Sequence, residues 1–178
     1  EVYFVSADSV ANPKRYGNAI LSRLPVLQVN ERRLRPHNDY RMAAHARVEL
    51  DGTPVDIYAT HLHYGGESPG EEAVEIRGTQ IADLLDFVDA TRAGDAVIVG
   101  GDFNTRPDSP DLALFEGRLR DAYVAVHPEA AEDLPAHSTL NPAFFDDLRR
   151  IDYLWFDPNG LTPLSARLIL NEPARSAR

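Results

Sequence analysis

Asp102 and Asn104 are the residues of this chain best placed, by type and spacing, to do chemistry. They close the stretch Gly100-Gly101-Asp102-Phe103-Asn104. Side chains alternate along an extended backbone, so the carboxylate and the carboxamide share one side while Phe103 points away into packing. An acid and an amide together suit water activation and phosphate binding. His61, in Thr60-His61-Leu62, ends an apolar strand just ahead of a glycine-rich loop. There an imidazole can donate to, or protonate, a substrate oxygen. Asp152 is an acid inside the apolar run Ile151-Asp152-Tyr153-Leu154-Trp155-Phe156. On a buried face it needs a partner. A histidine is a natural one, because an aspartate behind an imidazole fixes its tautomer and stabilises its cation. Each residue also has a plainer reading. Asp102 and Asn104 can cap a turn, His61 can satisfy backbone groups, and Asp152 can pair with Arg149 or Arg150.

The elements that must position these side chains are legible around them. Residues 95–99 form a short β-branched run that reads as a fully buried strand, stopped by Gly100 and Gly101. Residues 42–50 and 54–63 flank Asp51-Gly52, a hairpin-turn signal. In the second strand Val55, Ile57, Ala59 and His61 share one face. Asp56, Tyr58, Thr60 and Leu62 share the other. Residues 71–93 read as the main helix, with Val74, Ile81, Leu84, Leu85 and Val88 at helical spacing, acidic residues in its first turns and Gly94 to end it. Residues 150–156 read as a strand ended by Asp157-Pro158-Asn159-Gly160. Further strands are expected at 2–6, 17–23, 26–30, 137–140 and 164–170, with short helices at 110–117 and 121–127. Residues 31–41 read as a basic loop whose arginines Arg32, Arg33, Arg35 and Arg41 could hold a phosphorylated head group. Many hairpin-connected strands with one helical crossover point to an α/β fold of the α+β type. A sandwich of mixed sheets fits better than a doubly wound parallel sheet.

Composition narrows the function classes. The 178 residues carry no composition break, so one domain spanning 1–178 is expected. Hydrophobic content of 43% and charged content of 26% are those of a soluble globular protein. The compartment stays open between cytoplasmic and secreted, and a monomer is the expectation. No apolar run approaches the length of a membrane span. With no cysteine, thiolate chemistry and disulfides are excluded. A net charge of −10 argues against a general nuclease that grips long DNA, since phosphate contacts need Lys and Arg.

Four pieces occur in a fixed order: Gly17-Asn18-Ala19-Ile20-Leu21-Ser22-Arg23, Thr60-His61-Leu62, Gly101-Asp102-Phe103-Asn104 and Arg150-Ile151-Asp152-Tyr153. Together they resemble the endonuclease/exonuclease/phosphatase superfamily of deoxyribonuclease I-like phosphoesterases. The resemblance runs from about Tyr16 to Phe156. It implies a four-layer fold, two mixed β-sheets face to face with helices outside. It also implies Mg²⁺-dependent hydrolysis of a phosphoester, with Mn²⁺ as a substitute. The substrate would be a small phosphodiester, a lipid head group or a nucleic-acid end. By motif match, Asp102 orients or deprotonates the attacking water. Asn104 holds a phosphate oxygen or assists the metal, together with Asp102. His61 donates to a non-bridging oxygen, and Asp152 orients a second histidine. Asn18 is a weaker substrate-binding candidate, tied to the site through His61 or simply satisfying backbone. Arg77 with Gln80 matches a recurrent family pattern read here as structural.

The chain departs from the family in three places. No Asn on a first strand and no Gln-Glu pair on a second precede Tyr16, and the ligand role is not carried onto Glu1. No Ser-Asp-His follows Asp152, and His137 is a poor substitute. The expectation is an internal segment of a longer domain, incomplete at both ends, weak or inactive alone and with apolar edges exposed. Two other readings stand. One is a non-catalytic binding member of the same fold. The other is a zinc hydrolase using His61 and His63, because His-Leu-His resembles the zinc motif of metallo-β-lactamase-like hydrolases. The Asp and His expected just after that pair are replaced by Gly65 and Gly66.

Overall fold

The computed structural model describes residues 2–6, 16–37, 40–66, 70–132 and 134–169. The elements are β1 (Val2–Ser6), β2 (Gly17–Leu21), β3 (Val26–Arg33), β4 (Met42–Leu50), β5 (Thr53–His61), α1 (Glu71–Thr91), β6 (Val97–Asp102), β7 (Arg120–Asp121), α2 (Ala122–Val126) and β8 (Asp152–Phe156). Short 3₁₀ helices occupy Pro110–Phe115, Pro128–Ala131 and Pro135–His137.

One six-stranded sheet, in the order β3-β4-β5-β6-β8-β7, organises the molecule. Its β5–β6 pair is parallel and its other pairs are antiparallel. The parallel pair requires a crossover, and α1 supplies it. Glu71 and Glu72 stand at the positive end of the α1 dipole. The helix buries Ile81, Leu84, Leu85 and Val88 against Tyr58, Leu62, Val97, Val99 and Phe103 on one face of the sheet. Each such side chain contributes about 1.5–3 kcal/mol when fully buried. The opposite face, with Met42, Ala44 and Ala46, packs beneath Ile20 of β2 and Tyr3 of β1, an antiparallel pair. A strand covered on both faces reads as apolar throughout. That explains the buried run Met42-Ala43-Ala44 and its continuation through Ala46 in β4.

A polar network and an aromatic cluster are built into this core. His45 is fully buried; its Nε2 lies 2.7 Å from Asp56 Oδ1 and its Nδ1 lies 2.9 Å from Asn30 Nδ2. Asp56 also accepts from Arg47 Nε at 2.8 Å and from the Ala93 amide at 2.7 Å. This network joins β3, β4 and β5 to the segment that leaves α1. Trp155 of β8 stacks on Phe115 with ring centroids 4.2 Å apart, and Phe103 meets both rings edge-on.

Several expectations are corrected. The second sheet is a two-stranded antiparallel pair rather than a mixed sheet, and the described helical packing lies on the far side of the large sheet. β3 continues to Arg33, shortening the basic loop. There Arg35 pairs with Asp83 at 2.6 Å, while Arg32 lies over Phe87 and Arg33 over Tyr40, so these three do not form a common cradle. α1 stops at Thr91, where the Arg92 amide donates to the Val88 carbonyl, ahead of Gly94. β6 runs through Gly100 and Gly101 instead of stopping on them. Residues 138–140 form no strand, because side chains take their hydrogen bonds: Ser138 Oγ donates to Leu140 O and accepts from the Leu140 amide. Residues 164–169 form none either; there Ala166 O is 2.9 Å from His127 Nε2. Glu1 and residues from 170 onward lie outside the described residues.

Candidate active site

Three neighbouring strands end together. In the sheet register His61 of β5 stands opposite Asp102 of β6, and Asp102 stands opposite Asp152 of β8. Paired residues project to the same face, so the three form one row across the sheet. His61 Nε2 lies 3.6 Å from Asp102 Oδ2, and both side chains keep access to solvent.

Backbone geometry makes this row possible. Gly101 has φ 147°, and a Cβ there would come within 1.9 Å of the Thr60 carbonyl oxygen. Only glycine lets β6 lie this close to β5 beside the site. Beyond the row the chain turns sharply. Asn104 adopts φ 52°, a left-handed conformation that asparagine tolerates better than most residues. Its amide donates to Asp102 Oδ1 at 2.8 Å, and its Nδ2 donates to the Leu62 carbonyl at 2.9 Å. Further bonds lace the strand ends: the Leu62 amide to Asp102 O at 2.9 Å and the Phe103 amide to Ile151 O at 2.8 Å. The capping expected of an Asp-x-Asn turn is therefore present. The other Asp102 oxygen, Oδ2, stays beside His61 in the row.

Asp152 pairs with neither adjacent arginine. Arg150 is buried against Asp121 at 2.5 Å, and Arg149 lies 3.5 Å from Asp147. Thr139 instead braces Asp152. Its Oγ1 accepts from the Ile151 amide at 3.1 Å and the Asp152 amide at 3.2 Å, and its hydroxyl also bonds the carboxylate. Burial raises the pKa of both carboxyls above the ordinary range. The Asn104 amide and the positive charges of Arg41 and Arg149 pull Asp102 back down. Thr139 and His61 do the same for Asp152, while Asp102 pushes it up.

The other candidates lie off the row. Asn18 on β2 donates Nδ2 to the Met42 carbonyl at 2.8 Å, the backbone-satisfying arrangement. The His63 amide is held by Gln80 Oε1 at 2.8 Å, which fixes the loop after β5. Arg77 is buried and pairs with Asp111 at 2.6 Å. Arg149 and Thr139 carry no site signal in the sequence, whereas Arg41 is one of the basic-loop arginines. Arg149 reads as a pairing partner for Asp152, and no local pattern marks Thr139. A cavity of about 750 Å³, lined by Pro107, Leu112 and Val124 among others, contains none of the row.

A model described as the Endonuclease/Exonuclease/phosphatase family matches residues 2–176. The chain belongs to this family. No curated protein matches the sequence significantly. Among solved structures, the human Nocturnin catalytic domain with bound sulfate anion superposes with a TM-score of 0.66 at 19% identity, covering 89% of this chain and 60% of that one. Truncated Caenorhabditis elegans TDP2 gives 0.62 at 20% identity, covering 89% and 62%. Sphingomyelinase C from Streptomyces griseocarneus gives 0.60 at 21% identity, covering 88% and 57%. At these identities the likeness is one of fold. The chain spans less than two thirds of the length of each of these three.

Members of the endonuclease/exonuclease/phosphatase family typically hydrolyse phosphoesters with divalent metals. The donors here can be tested against such an ion. Asp102 and Asp152 offer hard oxygen ligands side by side, and a cation between them would relieve their burial and mutual repulsion. Mg²⁺ is held by one or two carboxylates while keeping several waters, so this pair fits it. Zinc needs three or four protein ligands. Among the described residues no group of three His, Cys, Asp or Glu is so placed, and none joins His61 and His63.

Proposed function

We propose that this chain carries the water-activating and phosphate-holding groups of a Mg²⁺-dependent phosphoester hydrolase. The observation that supports this most is the row His61–Asp102–Asp152 at matched register on three adjacent strands, with Asn104 turned back over its end. Asp102 orients the attacking water and accepts its proton. A carboxylate with raised proton affinity is the better base, and Arg41 and Arg149 partly offset its burial. His61, half exposed beside it, donates to a non-bridging phosphate oxygen. The free N–H of the Asn104 carboxamide donates to another. These donors are fixed by strand ends before substrate arrives, so they need not reorganise as charge develops. Thr139 holds Asp152 in place beside Asp102. Asp102 and Asp152 would hold Mg²⁺, or Mn²⁺ in its place, which supplies Lewis-acid stabilisation of the phosphoryl oxygens.

The test is hydrolysis of bis(p-nitrophenyl) phosphate with Mg²⁺ by the protein in its full length. Chelation should abolish turnover and Mg²⁺ should restore it. Asp102→Asn should lower kcat by about 10²–10⁴-fold. Asp152→Asn should lower kcat more than it raises KM. Near-normal turnover by Asp102→Asn would remove the assignment. Stoichiometric zinc in the active protein would revive the reading in which His61 and His63 bind metal.

A further inference from the structure

Immediately beyond Asn104 lies a second polar cavity of about 520 Å³, lined by Asn104, Arg77, Arg106, Ser109 and Arg149 among others. Two of the arginines that line it carry hydrogen-bond donors with nothing to donate to. Arg77 is 1% exposed; its Nε is spent on Asp111, but its Nη1 is buried without a partner. The Nε of Arg149 is likewise buried and unpartnered. Buried donors are paired in nearly all folded proteins, and leaving one unpaired costs about 1–3 kcal/mol. Both residues line one cavity, so an anion there that draws their guanidinium groups toward it would give these donors an acceptor. The negative groups here are Asp108, which lines the cavity, and Asp147, which is largely exposed. Asp147 holds Arg106 through both its oxygens at 3.0 Å and sits 3.5 Å from Arg149. A carboxylate of the protein thus already occupies the outer side of the arginines, where a stronger anion can replace it.

We infer that this cavity is an anion subsite, and that the substrate carries a second phosphate or carboxylate group on one side of the bond to be cleaved. The inference rests on the phosphoesterase reading for its substrate, but not for the binding itself. Asn104 borders both spaces, and Arg149 links them by acting on Asp102 while lining the cavity. An ester whose arm ends in a cationic or neutral group would leave the arginine donors unsatisfied. A nucleotide-like ester with an adjacent phosphate would satisfy them. The subsite therefore favours the nucleic-acid end over a zwitterionic lipid head group.

The deciding measurement is a titration with inorganic phosphate, without metal, followed through the ¹⁵N–¹H signals of the arginine Nε groups. The Arg149 Nε signal should shift saturably. Arg149→Gln and Arg106→Gln should each weaken phosphate binding by about tenfold, while amide spectra stay native-like. Ser109→Glu, which places a carboxylate at the cavity wall, should do the same. Asp102→Asn should not weaken it. Absence of a shift at Arg149, or binding that survives all three cavity substitutions, overturns the subsite. Hydrolysis supplies the separate arm. If phosphate binds as stated but Asp102→Asn leaves turnover unchanged, the phosphoesterase reading fails and the subsite stands. If turnover depends on Asp102 but pTpT is cleaved no better than TpT, the subsite is not used by the substrate and the inference on substrate class fails.

Discussion

His61 and His63 are two residues apart, yet their surroundings assign them different work. His61 stands 3.6 Å from Asp102 at the end of β5. His63 is reached through its backbone, where Gln80 holds its amide. Removing the His61 ring should therefore cost far more turnover than removing that of His63. We expect His61→Ala to lower kcat by about 10²-fold or more and His63→Ala to change it by less than about threefold. Steady-state kinetics on both variants checks this, and equal losses would favour a shared metal. At this scale the four motif residues were legible because their types are uncommon at the ends of apolar strands. Arg149 and Thr139 were not. Each reaches the site from a different part of the chain, and a charge acting through space leaves no spacing pattern.

The strand ends matter as much as the residues they carry. β5, β6 and β8 deliver His61, Asp102 and Asp152 to one line only because β6 approaches β5 without a side chain at Gly101. A methyl group there would meet the Thr60 carbonyl at 1.9 Å in a conformation that L-residues avoid. Gly101→Ala should cost about 3 kcal/mol or more of stability, seen as a lower urea midpoint. Gly94→Ala, where no atom lies within 4 Å of the added carbon, should cost little. An unchanged midpoint in Gly101→Ala would mean that β6 does not need this close approach. The long elements were readable from periodicity: the 42–61 hairpin, α1, and the strands carrying Asp102 and Asp152. Among the described residues the expected strands at 137–140 and 164–170 are absent because strand propensity is local while a ladder needs a neighbour. The edge beside β8 is taken by the two-residue β7.

Across the whole molecule the buried His45 network ties three strands to the end of the crossover helix. Its charged neighbours are Asp56 and Arg47, with Asn30 and the rings of Tyr58 and Phe87 completing its surroundings. The Asn30 carboxamide N–H donates to Nδ1, so Nε2 carries the proton donated to Asp56 and the ring is neutral. Burial holds its pKa below 6.5, outweighing the opposite pull of Asp56. Below that value the unfolded chain takes up a proton that the native chain resists. The His45 contribution is therefore complete above pH 6.5 and declines as pH falls toward the folded-state value. Urea unfolding at about pH 7.5 and about pH 5.5 should show lower stability at the acidic value, and His45→Gln should flatten that difference. A His45→Gln profile as steep as the wild type would place the acid sensitivity elsewhere. Asp83 and Asp157 have lowered carboxyl pKa values, the opposite displacement from that of the site carboxyls, and their contributions are lost only at more acidic pH.

Trp155 is the chain's one tryptophan, and it sits three positions from Asp152 on the same strand, stacked on Phe115. That makes the protein its own optical probe. Emission from a buried, ring-stacked indole reports on the strand that carries the second carboxylate, with no label attached. Substitutions that alter only chemistry, such as Asp102→Asn, should leave its spectrum in place. Those that loosen β8 should shift it to the red before the rest of the fold gives way, so one cuvette can tell an inactive protein from an unfolded one.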